Sequence, residues 1–191
     1  MEPKTPKTPK TLPPLSAEAR SIVERLDLLP HPEGGYYREV YRDVQSVIRL
    51  ESSKESSRGL SLHRLKKEGE EDDPDGALRS AVTVILFLIP QGQPTAWHRV
   101  DSTETWHHVG GAPICLEIEE SDKGEKALRT LHIGRLGRQG TGGDADSIVG
   151  VVPAGAWQRA RSEGEHSLAT CTVAPGFEFS DFTLREPDHT T

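Results

Sequence analysis

The chain has only two cysteines, Cys115 and Cys171, far apart in sequence. That count excludes the disulfide framework of small secreted folds, and the spacing matches no zinc pattern. Both are expected as buried thiols in a reducing compartment. No apolar run reaches the length of a bilayer; the longest, Ala81 to Pro90, is strand-sized. The N-terminal lysines lack the apolar core of a secretory signal behind them, so a cytoplasmic protein is expected. Positive charge is also short: the formal net charge of -7 excludes nucleic acid and anionic membrane as general partners. Aromatic residues make up only 5% of the chain, against Gly 18 and Pro 14, which favours a turn-rich β architecture over a helical bundle.

What is present reads as one domain with tails, within 191 residues. Residues 1–15 repeat Thr-Pro-Lys with almost no apolar content and are expected as a solvated, disordered tail. The domain itself is expected over 16–186. Ser16 is placed to cap a short helix whose apolar face is Ala19, Ile22, Val23 and Leu26, with Pro30 as its stop. Gly34-Gly35 then turns the chain into a strand on which Tyr37, Glu39 and Tyr41 share one face. A polar stretch at about 49–76 reads as a solvated insertion. From Ser80 onward short β-rich runs follow one another, down to a last one at FEFSDFTL, and no helical pattern intervenes. That rhythm indicates an antiparallel sandwich or barrel. Continuous apolarity in VTVILFLI suggests a strand covered on both sides, by a second copy or by the N-terminal helix.

Gly92, His98, Val100, Glu104 and Gly111 stand at the spacing of a two-strand motif, GQPTAWHRVDSTETWHHVGG. The run VPAGAWQ, from Val152 to Gln158, supplies a second motif built on Pro-x-Gly. With the blocks LPHPEGGYYREVYR and CTVAPGFEFSDF, this order resembles the cupin superfamily, and within it a small branch long described as a domain of unknown function. The resemblance runs from about Leu26 to Leu184. It implies an all-β fold, a double-stranded β-helix jelly roll, usually a homodimer, related in structure to deoxysugar-nucleotide epimerases and plant storage proteins.

It further implies that His98 and Glu104 face the barrel interior. The family's metal sites use three histidines and a glutamate; here the other two positions hold Val100 and Gln158. Valine donates no lone pair and a glutamine oxygen is a poor transition-metal ligand, so no cofactor is expected. A metal would have to rely on His98, Glu104 and Gln158. His108 shares a strand face with Glu104 and Trp106 but lies about 13 Å along it from Glu104, too far for one ion.

Three functions fit these residues. The first is a small-molecule-binding protein with isomerase- or epimerase-like proton transfer: His98 near its ordinary pKa as base, Glu104 or Asp181 orienting it, and a tyrosine, Tyr37 first and Tyr36 or Tyr41 otherwise, returning a proton. Trp97, Trp106, His108, Gln158 and Asp181 are then the candidate ligand-binding residues. The second is a metal-dependent oxidoreductase or isomerase. The third is a non-catalytic module that binds or stores a metabolite, with the tryptophans as packing surfaces. A twofold homodimer is expected in each case.

Overall fold

The computed structural model describes residues 14–48, 78–122, 125–135 and 145–186. The tail up to residue 13 and the polar stretch from 49 to 77 lie outside the described residues. One helix, α1 (Ala17–Arg25), precedes β1 (Leu29–Pro30), β2 (Tyr36–Arg42), β3 (Ser46–Ile48) and β4 (Leu78–Ser80). Next come β5 (Thr83–Pro90), β6 (His98–Arg99), β7 (Thr103–Gly111), β8 (Ile114–Asp122) and β9 (Glu125–Ile133). The chain closes with β10 (Ala145–Ser147), β11 (Val149–Val152), β12 (Trp157–Ser162), β13 (His166–Ala174) and β14 (Thr183–Leu184).

The Ser16 hydroxyl accepts the Ala19 N–H at 3.0 Å, satisfying a donor that the first helical turn leaves open. The helix stops at Arg25, earlier than Pro30 suggests. Asp27 takes a left-handed φ of 53°, and Leu28 N–H returns to the Val23 carbonyl at 2.9 Å. Pro30 already belongs to β1.

The strands form two six-stranded sheets, in orders β1-β2-β5-β13-β7-β11 and β10-β9-β8-β12-β6-β14, with β3 and β4 as a separate pair. All pairings are antiparallel except β9 with β10. Inward residues of both sheets make one core: Phe87 and Ile89, Trp106, Ala169 and Cys171 from the first sheet, Ile114, Leu116, Ile118 and Ile133 from the second. This is the expected jelly roll. Strand β5 is indeed covered on both sides: Leu88 turns away from that core and packs under α1 with Ala19 and Leu28. The helix supplies the second cover.

Two expectations are corrected. Strand β2 shifts register against β5 between Glu39 and Tyr41. Such a bulge moves the following side chains to the other face. Tyr41 is consequently half exposed, while Arg42 comes round to the side of Tyr37 and Glu39. The FEFSDFTL run is also not a continuous strand. It is a single 3-10 turn, Phe179–Asp181, followed by the short β14, and so can fold back over the barrel end.

Candidate active site

The two sheets leave an interior cavity of about 140 Å³ walled by Phe87, Trp106, Val100, Phe179 and Phe182. His31, Glu33, Tyr37, His98, Glu104 and Cys171 line it as well. Each polar side chain arrives by a different route. Gly34 and Gly35, with φ of 102° and 70°, fold residues 31–35 into a tight turn, in which Gly34 N–H bonds His31 O and His31 N–H bonds Gly35 O. A Cβ on Gly35 would lie 2.8 Å from the Leu88 carbonyl, so the turn passes close against β5. Ala96 N–H then donates to the Glu33 carbonyl at 2.6 Å, docking the turn beside the segment that leads into His98.

The consequence is a buried contact: Glu33 Oε2 lies 3.2 Å from His98 Nε2. The other ring nitrogen, Nδ1, is 2.9 Å from the Ala96 carbonyl. A carbonyl only accepts, so Nδ1 carries the proton and Nε2 presents its lone pair to Glu33. Burial pushes His98 down to about 4, against a smaller rise from the Ala96 bond. Burial, with the Glu104 charge nearby, pushes Glu33 well above the usual carboxylate range. At neutral pH this is therefore a neutral pair, Glu33 O–H donating to His98 Nε2, since unscreened charges this deep would cost several kcal/mol. His31 Nδ1 is 3.4 Å from the same Glu33 oxygen, and burial with the neighbouring His98 lowers His31 to about 4.

Glu104 faces the same cavity with 6% exposure. Burial raises its pKa to about 7, although Gln158 Nε2 and the Cys171 thiol both donate to it. Cys171, buried beside that carboxylate, is held above the ordinary thiol range and stays protonated. At the mouth Arg42 pairs with Glu39 at 2.8 Å and Glu178 at 2.7 Å.

A family metal does not fit these donors. Trp106 Nε1–H donates to Gln158 Oε1 at 3.0 Å. An indole nitrogen can only donate, so it fixes the amide with its NH₂ towards Glu104 and turns its oxygen away from that carboxylate. Val100 stands on the cavity wall in place of an imidazole, and Glu33 covers the lone pair of His98. The two groups of described His, Cys, Asp and Glu side chains whose ligand atoms converge within 4.8 Å both lie outside this cavity.

The structure thus brings His98, Glu104, Tyr37 and Trp106 to one cavity, with Gln158 behind Glu104. It places three other expected residues elsewhere. Trp97 is outside the barrel, its ring 4.9 Å from the guanidinium carbons of both Arg159 and Arg185. His108 Nε2 bonds the Ala112 carbonyl at 3.1 Å, far along β7. Asp181 pairs with Arg79, which also holds Asp101 at 3.0 Å. Two expectations about His98 change: the carboxyl against it is that of Glu33, and burial moves it away from the near-neutral pKa of a free imidazole. Glu33 and the aromatic cover of Phe177, Phe179 and Phe182 were not singled out in the sequence. Their signal was the two blocks, HPEGG and APGFEFSDF, in which they stand.

Residues 20–185 match the family model described as "Cupin superfamily (DUF985)". The chain belongs to this family. Among solved structures, the cupin is similar to a hypothetical protein from Leishmania major, at 28% identity and a TM-score of 0.64, over 87% of this chain and 86% of that one. It is likewise similar to a protein from Shewanella oneidensis, at 26% identity and a TM-score of 0.58, over 87% and 84% of the two chains. No curated protein matches it. No helix among the described residues is long and apolar enough to cross a membrane.

Proposed function

We propose that the cavity binds a compact small molecule and moves a proton on it, in an isomerase- or epimerase-like reaction. One observation carries this reading: Glu104, buried and raised to about 7, shares a cavity with the neutral Glu33–His98 pair. A base is most effective when its pKa is near the working pH, and an acid kept protonated beside it completes a proton-transfer couple. Glu104 as carboxylate takes a proton from the ligand; the Glu33 O–H, turned from His98 Nε2 towards the ligand, gives one back at a neighbouring atom, and a proton returned from Glu104 to Glu33 through water resets the site. The exchange is redox-neutral and needs no co-reactant. Tyr37, which also lines the cavity with its ring centroid 4.6 Å from that of His31, is another group able to donate.

Size and charge narrow the ligand. The cavity volume of about 140 Å³ is close to the ~150 Å³ engineered cavity that holds benzene. Glu104, charged when it acts as base, repels an anion, and Arg42 at the mouth is already matched by two carboxylates. A neutral or cationic compound suits the site. The metal-dependent alternative draws no support from a donor set closed by Gln158.

Native mass spectrometry of the protein after incubation with fractionated metabolites tests the binding. A compound of this class should be retained by the wild type and lost from Val100→Phe, which fills the cavity. Equal retention by both proteins would place the ligand elsewhere and end this reading.

A further inference from the structure

We propose that Cys115, His132 and Glu163 form a binding site for a zinc-class divalent cation on the outer face of the second sheet, remote from the cavity. Alternation along β8 sends Ile114, Leu116 and Ile118 into the core, each with 0% exposure. Cys115 points the other way. It is nonetheless only 1% exposed, and its cross-strand partners on both sides are polar, His132 on β9 and Arg161 on β12. A thiol that packs as a hydrophobe has no need of such neighbours.

His132 is the cross-strand partner of Cys115 on β9. Glu163 follows β12 and is tied in place by its N–H on the Pro113 carbonyl at 2.9 Å. One donor atom from each of the three converges within 4.8 Å. Two ligands of one tetrahedral zinc ion, bound at about 2.3 Å for sulfur and about 2.0 Å for nitrogen or oxygen, stand roughly 3.3–3.5 Å apart, inside this limit. Side-chain rotation would open the 2.8 Å His132–Glu163 contact slightly to admit the ion.

The donor types also suit a divalent ion. His132 Nδ1 and Glu163 Oε1 lie 2.8 Å apart and share a proton that a cation would replace. The other carboxylate oxygen is held by Arg135 at 2.7 Å, which orients Oε1 towards the site. A thiolate and a carboxylate neutralise a divalent ion, and imidazole completes three protein ligands, leaving a fourth position for water. Thiolate and imidazole select zinc or cobalt over magnesium or calcium. Binding expels the thiol proton, so affinity rises with pH.

Cobalt(II) titration of the reduced, tag-free, metal-stripped chain tests this, read by absorption. The expected result is a thiolate-to-cobalt charge-transfer band saturating at about one equivalent, unchanged in Cys171→Ser and absent from Cys115→Ser. His132→Gln should weaken binding by at least about tenfold. If Cys115→Ser does not fold, His132→Gln decides, unchanged affinity counting against the site. No thiolate band in the wild type, or a band that survives Cys115→Ser, would overturn the proposal as an adventitious ion only.

Discussion

Glu33 Oε2 and His98 Nε2 meet at 3.2 Å in a cavity wall, although one comes from a turn before β2 and the other from β6. The contact depends on the turn's docking to Ala96, so it is a product of backbone hydrogen bonding as much as of side-chain attraction. Because Nδ1 is committed to a carbonyl, the histidine holds one tautomer and the carboxyl has to be the donor.

The first prediction follows from the histidines. His98 and His31 have folded-state pKa values near 4, below the 6.5 of the free side chain. Their neutral forms therefore stabilise the fold fully above pH 6.5, and that contribution is lost as pH falls towards 4. Imidazole nitrogen NMR should show both rings neutral at pH 5, with His98 protonated at Nδ1. Titration of either ring near 6.5 would contradict the burial argument.

Glu104 gives the opposite sign. Its folded pKa of about 7 lies above the 4.5 of the free side chain, so the folded state binds the extra proton. Stability from this group is present below pH 4.5 and lost as pH rises to about 7. Glu104→Gln keeps an acceptor for Gln158 and removes the charge. Relative to wild type, the variant should gain nothing at pH 4.5 and roughly 3 kcal/mol above pH 7, at about 1.4 kcal/mol per unit. Urea midpoints across that range measure it; a difference independent of pH would refute the raised pKa.

The fold and half of this site were readable from residue order. His98 and Glu104 were legible because motif spacing and strand alternation fix which face they take. Gln158 was legible as a departure from the histidine its position implies. Glu33 was not, since a glutamate in a Gly-rich turn reads as solvated, and only the docking of that turn against Ala96 buries it. Arg42 was hidden by the bulge after Glu39, which no alternation rule anticipates. Asp181 looked available because the partner that claims it, Arg79, sits about a hundred residues earlier in the chain.

A third prediction concerns assembly. Strand β1 pairs only with Tyr36 and Tyr37, so among the described residues no strand lies beside the rest of β2 on that side. Val40 and Tyr41, 45% and 50% exposed, sit on this open edge. Unpaired edges invite strand addition, and a twofold axis beside β2 would close this one. Sedimentation at micromolar concentration should give about twice the chain mass of 21.0 kDa. Val40→Lys should shift the population towards monomer, whereas a wild-type monomer would remove the argument.

The most direct test of proton transfer is solvent exchange. Wild-type protein and the Glu104→Gln variant, incubated in D₂O with a mixed pool of neutral and cationic metabolites, should differ at one compound. That compound should gain a single deuterium on carbon with the wild type and none with the variant. A ligand that binds the cavity at stoichiometric level and acquires no deuterium would contradict the catalytic account and leave a binding module in its place.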